Sequence, residues 1–128
     1  MPHPCERVLV VNDDSLVLEA LSDVLRNSDI ETRTARTAEE AAEILERGFR
    51  AKVVVLDMQL GSGAADGETL VSWMRATPAF ARTPIVAISA SPWRLRRVEE
   101  DVQATLEVPF SLEELERTLS EICVQAVA

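Results

Sequence analysis

The stretch Val53-Val54-Val55-Leu56-Asp57 decides the fold of this chain. Four consecutive apolar residues, three of them β-branched, predict a strand that is buried on both faces, as in a parallel sheet covered by helices. An aspartate ends the run. Because ligands of open α/β sheets bind at the carboxyl ends of the strands, Asp57 is a candidate site residue on a rigid support. The alternative is that Asp57 only caps or solvates the end of a strand.

Two further apolar runs also end in polar side chains. Residues 7–11 lead into Asn12, Asp13 and Asp14, and residues 85–88 lead into Ser89. The carboxyl ends of parallel strands meet at one edge of a sheet. We therefore expect Asp13, Asp57 and Ser89 to lie close together.

Strand-like and helix-like segments alternate five times along the chain. The remaining strands are predicted at residues 30–35 and 104–108, and the sequences 37–40 and 111–114 are capping boxes that predict helix starts. The apolar stripe of the first helix is predicted at Leu16, Val17, Ala20, Leu21, Val24 and Leu25, and that of the last helix includes Leu112, Leu115, Leu119, Ile122 and Ala126. The alternation predicts the α/β class, with a single doubly wound five-stranded parallel sheet and five helices.

Charge and hydropathy exclude several classes of function. Asp and Glu outnumber Lys and Arg by 22 to 13, for a formal net charge of -9, which disfavours direct binding to nucleic acid or anionic lipid. No apolar run approaches the roughly 18 residues of a membrane span, and the N-terminus has no apolar leader segment. We therefore expect a cytoplasmic protein that contacts neither nucleic acid nor membrane.

The two cysteines, Cys5 and Cys123, match no metal-binding or redox spacing. The last helix should return to the end of the sheet where the first strand begins, which could bring the two thiols near each other. Since a reducing compartment disfavours disulfides, free thiols are expected. His3, the only histidine, is expected to be solvated.

The chemistry of the strand ends favours a hard metal ion. Carboxylates gathered at the edge of a low-dielectric core repel each other unless a cation joins them. Oxygen ligands without His or Cys favour Mg²⁺, and an aspartate beside Mg²⁺ can attack a phosphoryl group to form an aspartyl phosphate.

Several segments together resemble the response-regulator receiver domain of two-component signalling. They are residues 8–15, 55–60, 66–67, 88–90 and 108–110, in that order. The resemblance implies one receiver domain over residues 1–128 with a flavodoxin-like (βα)5 fold. It implies that Asp57 is the phosphoacceptor, that Asp13, Asp57 and the backbone carbonyl of Gln59 hold Mg²⁺, and that the hydroxyl of Ser89 contacts the phosphoryl group. It also implies that Gln59 and Ser91 tune dephosphorylation and that the Val108-Pro109 bond is cis.

The sequence departs from the family at three positions. Asn12 replaces the first acidic residue of the metal-binding pair, and Val108 replaces the lysine that binds the phosphoryl group. Thr105 stands where an aromatic switch residue is common. The segment between Ser89 and Val108 is shorter than usual, so the fourth helix is expected to be short or displaced; a weak apolar stripe at Leu95, Val98 and Val102 predicts it within residues 93–102.

Two functions remain open from the sequence. The first is a receiver that takes a phosphoryl group from a histidine kinase or phosphotransfer protein and signals through its last helices, with at most Mg²⁺-dependent self-phosphorylation and autodephosphorylation as enzymatic activity. The second is a pseudo-receiver that only binds other proteins. A flavin-binding relative is disfavoured, because the carboxylates after the first strand would repel phosphate.

A basic segment interrupts the otherwise acidic chain around the fourth helix. Trp93, Arg94 and Arg97 are candidates for an interface, including a homodimer through the fourth helix, fifth strand and fifth helix. The alternative is that Trp93 packs inward while the arginines are solvated. An arginine of segment 94–97 is also a candidate substitute for the missing lysine.

Overall fold

Five parallel strands form one sheet in the order β2-β1-β3-β4-β5. The computed structural model describes residues 3–60 and 66–127, and only the backbone of residues 66 and 125–127. The strands are β1 (Arg7–Val11), β2 (Glu31–Ala35), β3 (Val53–Asp57), β4 (Ile85–Ser89) and β5 (Ala104–Glu107). This arrangement confirms the predicted α/β class and the predicted flavodoxin-like (βα)5 fold.

A helix follows each strand. The helices are α1 (Ser15–Asn27), α2 (Ala38–Glu46), α3 (Asp66–Ala76), α4 (Pro92–Val98) and α5 (Leu112–Val127). Both capping boxes are present: the Thr37 hydroxyl accepts the N–H of Glu40, and the Ser111 hydroxyl accepts the N–H of Glu114, whose carboxylate accepts the N–H of Ser111 in return. Within the described ranges, no helix has both the length and the apolar character to cross a membrane.

The sheet separates two apolar cores, because successive residues of a strand point to opposite faces. In β3, Val54 and Leu56 pack on the face covered by α2, α3 and α4. Val53 and Val55 pack on the face covered by α1 and α5. A strand that is buried on both faces is thereby held rigid, and its carboxyl end is a fixed platform.

The predicted buried face of α1 is wrong by a fraction of a turn. Leu18, Leu21 and Leu25 are buried against the sheet, whereas Leu16 is 77% exposed and Val17 is 37% exposed. The buried leucines recur at i, i+3 and i+7, which is itself a helical stripe. A similar correction applies at the start of α5, where Leu112 is 51% exposed.

Helix α4 is short, as expected, but ends earlier than predicted. It comprises seven residues, and the segment up to Val102, which the sequence placed in the helix, forms turns and bends instead. Val102 is nevertheless buried against the same core as Leu95 and Val98. The apolar spacing therefore identified the buried residues correctly but overestimated the length of the helix.

The expectation of free thiols is wrong. Cys5 and Cys123 form a disulfide, with Cα atoms 5.4 Å apart, between the segment before β1 and the last turns of α5. The predicted proximity of the two residues is confirmed. His3 is half-buried rather than fully solvated, and its Nδ1 accepts the N–H of Cys5 at 2.9 Å.

Candidate functional site

An open cavity of about 550 Å³ lies at the carboxyl ends of the strands. Its lining residues are Asn12, Asp13, Asp14, Val17, Asp57, Gln59, Ile88, Ser89, Ala90, Val108, Pro109 and Phe110. Three of these residues carry carboxylates, and none of the lining residues that the structure describes is a lysine, arginine or histidine. The cavity is therefore acidic.

The strand order brings the predicted site residues together. Strand β3 lies between β1 and β4, and the register aligns Leu56 with Val11 and Asp57 with Ile88. Asp13 and Ser89 therefore flank Asp57 from neighbouring strands. The predicted convergence of these three side chains is confirmed.

The carboxylate of Asp57 is half-buried, and one of its oxygens is held by the backbone. Its Oδ1 accepts the N–H of Gln59 at 2.9 Å. Burial raises the pKa of the Asp57 carboxyl above its ordinary value of 3.8; the Gln59 N–H opposes this rise, the charge of Asp13 adds to it, and Arg94 opposes it. Repulsion by Asp13 is what a bound cation would relieve.

The three polar residues after β1 have different environments. Asn12 is buried, and its Oδ1 accepts the N–H of Asp14 at 2.9 Å. The Oδ1 of Asp14 caps α1 by accepting the N–H groups of Leu16 and Val17. Asp13 is half-buried beside Asp57. Of the two carboxylates in this triplet, Asp13 is therefore the one whose charge acts on Asp57.

The hydroxyl of Ser89 is buried at the base of the cavity. Its Oγ accepts the N–H of Ser91 at 3.0 Å. Ser91 itself precedes α4 and does not line the cavity, and its side chain forms no capping hydrogen bond. Because Oγ already accepts a hydrogen bond from Ser91, its own proton can be donated to a ligand.

Val108 lines the same cavity. Its N–H donates to the carbonyl of Ser89 at 3.0 Å, and the Val108-Pro109 bond is cis, as predicted. The residue is 42% exposed. At this position of the lining the chain therefore has an apolar side chain and no cation.

The residues predicted as an interface on α4 have different partners. Trp93 is 48% exposed, and the guanidinium of Arg94 lies over its ring at 4.7 Å from the centroid. Arg97 instead forms an ion pair with Glu68, with its Nε at 2.8 Å from the carboxylate. Trp93 remains available to a partner, whereas Arg97 is engaged with α3.

Five lining residues were not among the predicted site residues: Val17, Ile88, Ala90, Pro109 and Phe110. Val17 had been assigned to the buried stripe of α1, and the alternative stripe through Leu18 would have released it to the surface. The other four lie in the segments 88–90 and 108–110, whose family resemblance was the signal that could have identified them. Residues 58–67, with three glycines and no periodicity, also predict a site loop after β3, and residues 61–65 of this segment lie outside the described residues.

Comparison with known proteins identifies the family. The model of the response regulator receiver domain matches residues 8–120. The sensor histidine kinase TmoS of Ectopseudomonas mendocina is 30% identical over 125 residues, which cover 95% of this chain. The chain spans only 12% of the length of that kinase.

Solved structures agree on the fold. A protein of Chloroflexus aurantiacus described as a response regulator is 28% identical, with a TM-score of 0.84 and coverage of 97% of this chain and 99% of that chain. The chemotaxis protein CheY4 of Vibrio cholerae is 24% identical, with a TM-score of 0.81 and coverage of 91% and 97%, respectively, which supports the fold alone. The chain belongs to the response regulator receiver domain family of two-component signalling.

Proposed function

We propose that this receiver domain accepts a phosphoryl group on Asp57 from a phosphohistidine of a histidine kinase or phosphotransfer protein, and signals through its last helices. Receiver domains interact with these two classes of protein. The observation that carries the proposal is the placement of Asp13, Asp57 and Ser89 in one open cavity at the ends of three neighbouring strands.

Asp57 would act as the nucleophile. Its Oδ1 is held by the Gln59 N–H, so we expect Oδ2 to attack phosphorus. The new bond joins Oδ2 to phosphorus while the phosphorus–nitrogen bond of phosphohistidine breaks. The ring nitrogen keeps the electron pair of that bond and takes a proton from water.

Ser89 would hold the transferred group after this step. Its Oγ already accepts the N–H of Ser91, so the hydroxyl proton can be donated to a phosphoryl oxygen. This contact would link the phosphoryl group to the start of α4. A change at Asp57 would thus reach the surface that contains Trp93.

The oxygen donors fit Mg²⁺, which receiver domains generally bind. Asp13 and Asp57 would hold the ion together with the backbone carbonyl of Gln59. Asp13 raises the pKa of Asp57, which indicates that the two carboxylates lie close enough to repel each other. A divalent cation bound between them would relieve this repulsion. When bound, Mg²⁺ would neutralise charge on the phosphoryl oxygens during transfer.

Four large apolar residues in or next to the cavity lining are exposed, and we call them the apolar rim. Val17 and Val108 line the cavity, Leu16 precedes Val17, and Leu112 lies two residues after the lining residue Phe110. A protein that delivers a phosphohistidine must bring that side chain to this cavity. We propose that the apolar rim contacts the phosphohistidine-bearing partner, since apolar surface next to a polar site is typical of an interaction surface.

The experiment is incubation with Mg²⁺ and phosphoramidate, whose phosphorus–nitrogen bond resembles that of phosphohistidine, followed by intact mass measurement. The proposal predicts the addition of one phosphoryl group. The Asp57→Asn variant and an excess of chelator should each prevent the addition. No addition to the wild-type chain would refute phosphoacceptor function and favour the pseudo-receiver alternative.

A further inference from the structure

A phosphoryl group at Asp57 would place strong negative charge in an acidic cavity. The group carries a charge of about -1.5 to -2 at neutral pH. Asp13 and Asp14 already line the cavity beside Asp57, and the described lining residues include no cation. A basic side chain that contacts the phosphoryl oxygens would therefore have to come from outside this lining.

Arg94 is a cation close to the cavity that does not line it. It lies in the first turn of α4, where its N–H donates to the carbonyl of Ser91 at 3.0 Å, and Ser91 in turn is hydrogen-bonded to the Ser89 hydroxyl. Its side chain is half-buried, whereas Arg96 on the same helix is exposed. Arg97 is already engaged by Glu68.

Arg94 also lies close enough to Asp57 for their charges to interact. Its half-burial and its place in the first turn of α4, next to the hydrogen bond between Ser91 and Ser89, distinguish it from the exposed Arg96 and Arg97.

We propose that Arg94 binds the phosphoryl group on Asp57, from α4, in place of a cation at position 108. This inference rests on the proposed phosphoacceptor function of Asp57. A guanidinium suits the role, because its planar fork donates two parallel hydrogen bonds to phosphate oxygens. Charge-assisted hydrogen bonds are stronger than a cation–π contact on a half-exposed ring, so the guanidinium should leave Trp93 when the phosphoryl group is present.

The first test uses the full chain with Mg²⁺ and two probes: phosphoramidate for transfer, and beryllofluoride, a stable mimic of a phosphoryl group on a carboxylate, for binding. Arg94→Gln should weaken beryllofluoride binding, and lower phosphoryl occupancy, by about ten- to a hundred-fold. Arg96→Gln, on the same helix but exposed, is the matched control and should behave like the wild type. Arg94→Met, whose stem can still pack on Trp93, is measured alongside in case the glutamine variant fails to fold.

The second test is rescue by a lysine at position 108, which lines the cavity. Val108→Lys should restore beryllofluoride binding in the Arg94→Gln chain and should change the wild-type chain much less. A purely structural role of Arg94 would not be rescued by a lysine just after β5. Failure of this rescue would therefore overturn the inference.

A third readout is the fluorescence of Trp93, measured in a Trp73→Phe background so that one tryptophan remains. Beryllofluoride should change this fluorescence when Arg94 is present and should leave it unchanged in Arg94→Gln.

If Arg94→Gln and Arg96→Gln bind beryllofluoride equally while Asp57→Asn does not bind it, the inference is overturned and the phosphoacceptor function stands. If the wild-type chain and Val108→Lys both fail to bind beryllofluoride and to be phosphorylated, both proposals are overturned.

Discussion

The backbone of Gly67, in the first turn of α3, packs directly against the backbone of Met58, the residue after Asp57. A Cβ atom at Gly67 would lie 2.7 Å from the Cα of Met58 and 2.8 Å from its carbonyl oxygen. Both atoms belong to the backbone and cannot rotate away. The position of Asp57 is therefore coupled to the absence of a side chain at Gly67.

Replacing Gly67 with alanine should destabilise the fold. The added methyl group must displace either α3 or the end of β3, and overpacking of this kind costs about 1–3 kcal/mol. Urea unfolding monitored by circular dichroism measures the loss. Ser72→Ala, at an exposed position of the same helix, is the control and should change the free energy of unfolding by less than about 0.5 kcal/mol. Equal stability of the two variants would contradict the close contact.

The disulfide should be detectable chemically. Cys5 and Cys123 are both buried, so thiols must be titrated in unfolded protein. Without reductant we expect no reactive thiol, and after reduction we expect two. Two reactive thiols before reduction would contradict the bridge. Because the closed loop spans 118 residues, the double variant Cys5→Ala/Cys123→Ala should lose about 2–5 kcal/mol of stability.

Arg75 should stabilise the fold through its side-chain hydrogen bonds. Its guanidinium donates to the carbonyls of Phe80, Ala81, Thr83 and Asp101 and to the side chain of Gln103. A lysine cannot reproduce this fork, so Arg75→Lys should cost about 1.5–3 kcal/mol, the value of a hydrogen bond to a charged group. Arg82→Lys, at an exposed position nearby, should have almost no effect on thermal unfolding. A wild-type unfolding temperature for Arg75→Lys would refute this role.

The fold was predictable where local pattern and burial agree. The bounds of β1 and β3 follow from apolar runs that end in polar residues, and both capping boxes mark real helix starts. The pattern failed on α1 because two overlapping stripes fit the same residues. Only the packing of Leu18 against the sheet, which is a tertiary contact, decides which stripe is buried.

The site was predictable as far as topology alone determines it. Parallel strands bring Asp13, Asp57 and Ser89 to one edge, and that convergence needs no knowledge of side-chain conformation. The hydrogen bonds of Arg75 and the placement of Arg94 could not be predicted, because long side chains choose partners that are distant in sequence. The disulfide was missed for another reason. A reducing compartment was inferred for the protein, and this inference was given more importance than the expected proximity of the two cysteines, so free thiols were predicted.

Stability should depend on pH through Asp57. The pKa of its carboxyl is raised above 3.8, so the folded protein favours the protonated form, and the resulting stabilisation is lost as pH rises through the raised pKa. In metal-free buffer, Asp57→Asn should therefore unfold at a higher temperature than the wild type at neutral pH. This advantage should shrink as pH falls towards 3.8. Asp23→Asn, at an exposed position of α1, should show no such rise in unfolding temperature. An equal rise in both variants would contradict the explanation through the raised pKa of Asp57.

The central claim is that Asp57 carries the phosphoryl group, and the most direct measurement locates the modified residue. Borohydride reduces an acyl phosphate to an alcohol, which converts the modified aspartate into homoserine. After treatment with phosphoramidate and Mg²⁺, reduction and peptide mapping by mass spectrometry, we predict homoserine at position 57 alone. Homoserine at Asp13 or Asp14 instead, or none at any position, would contradict the account.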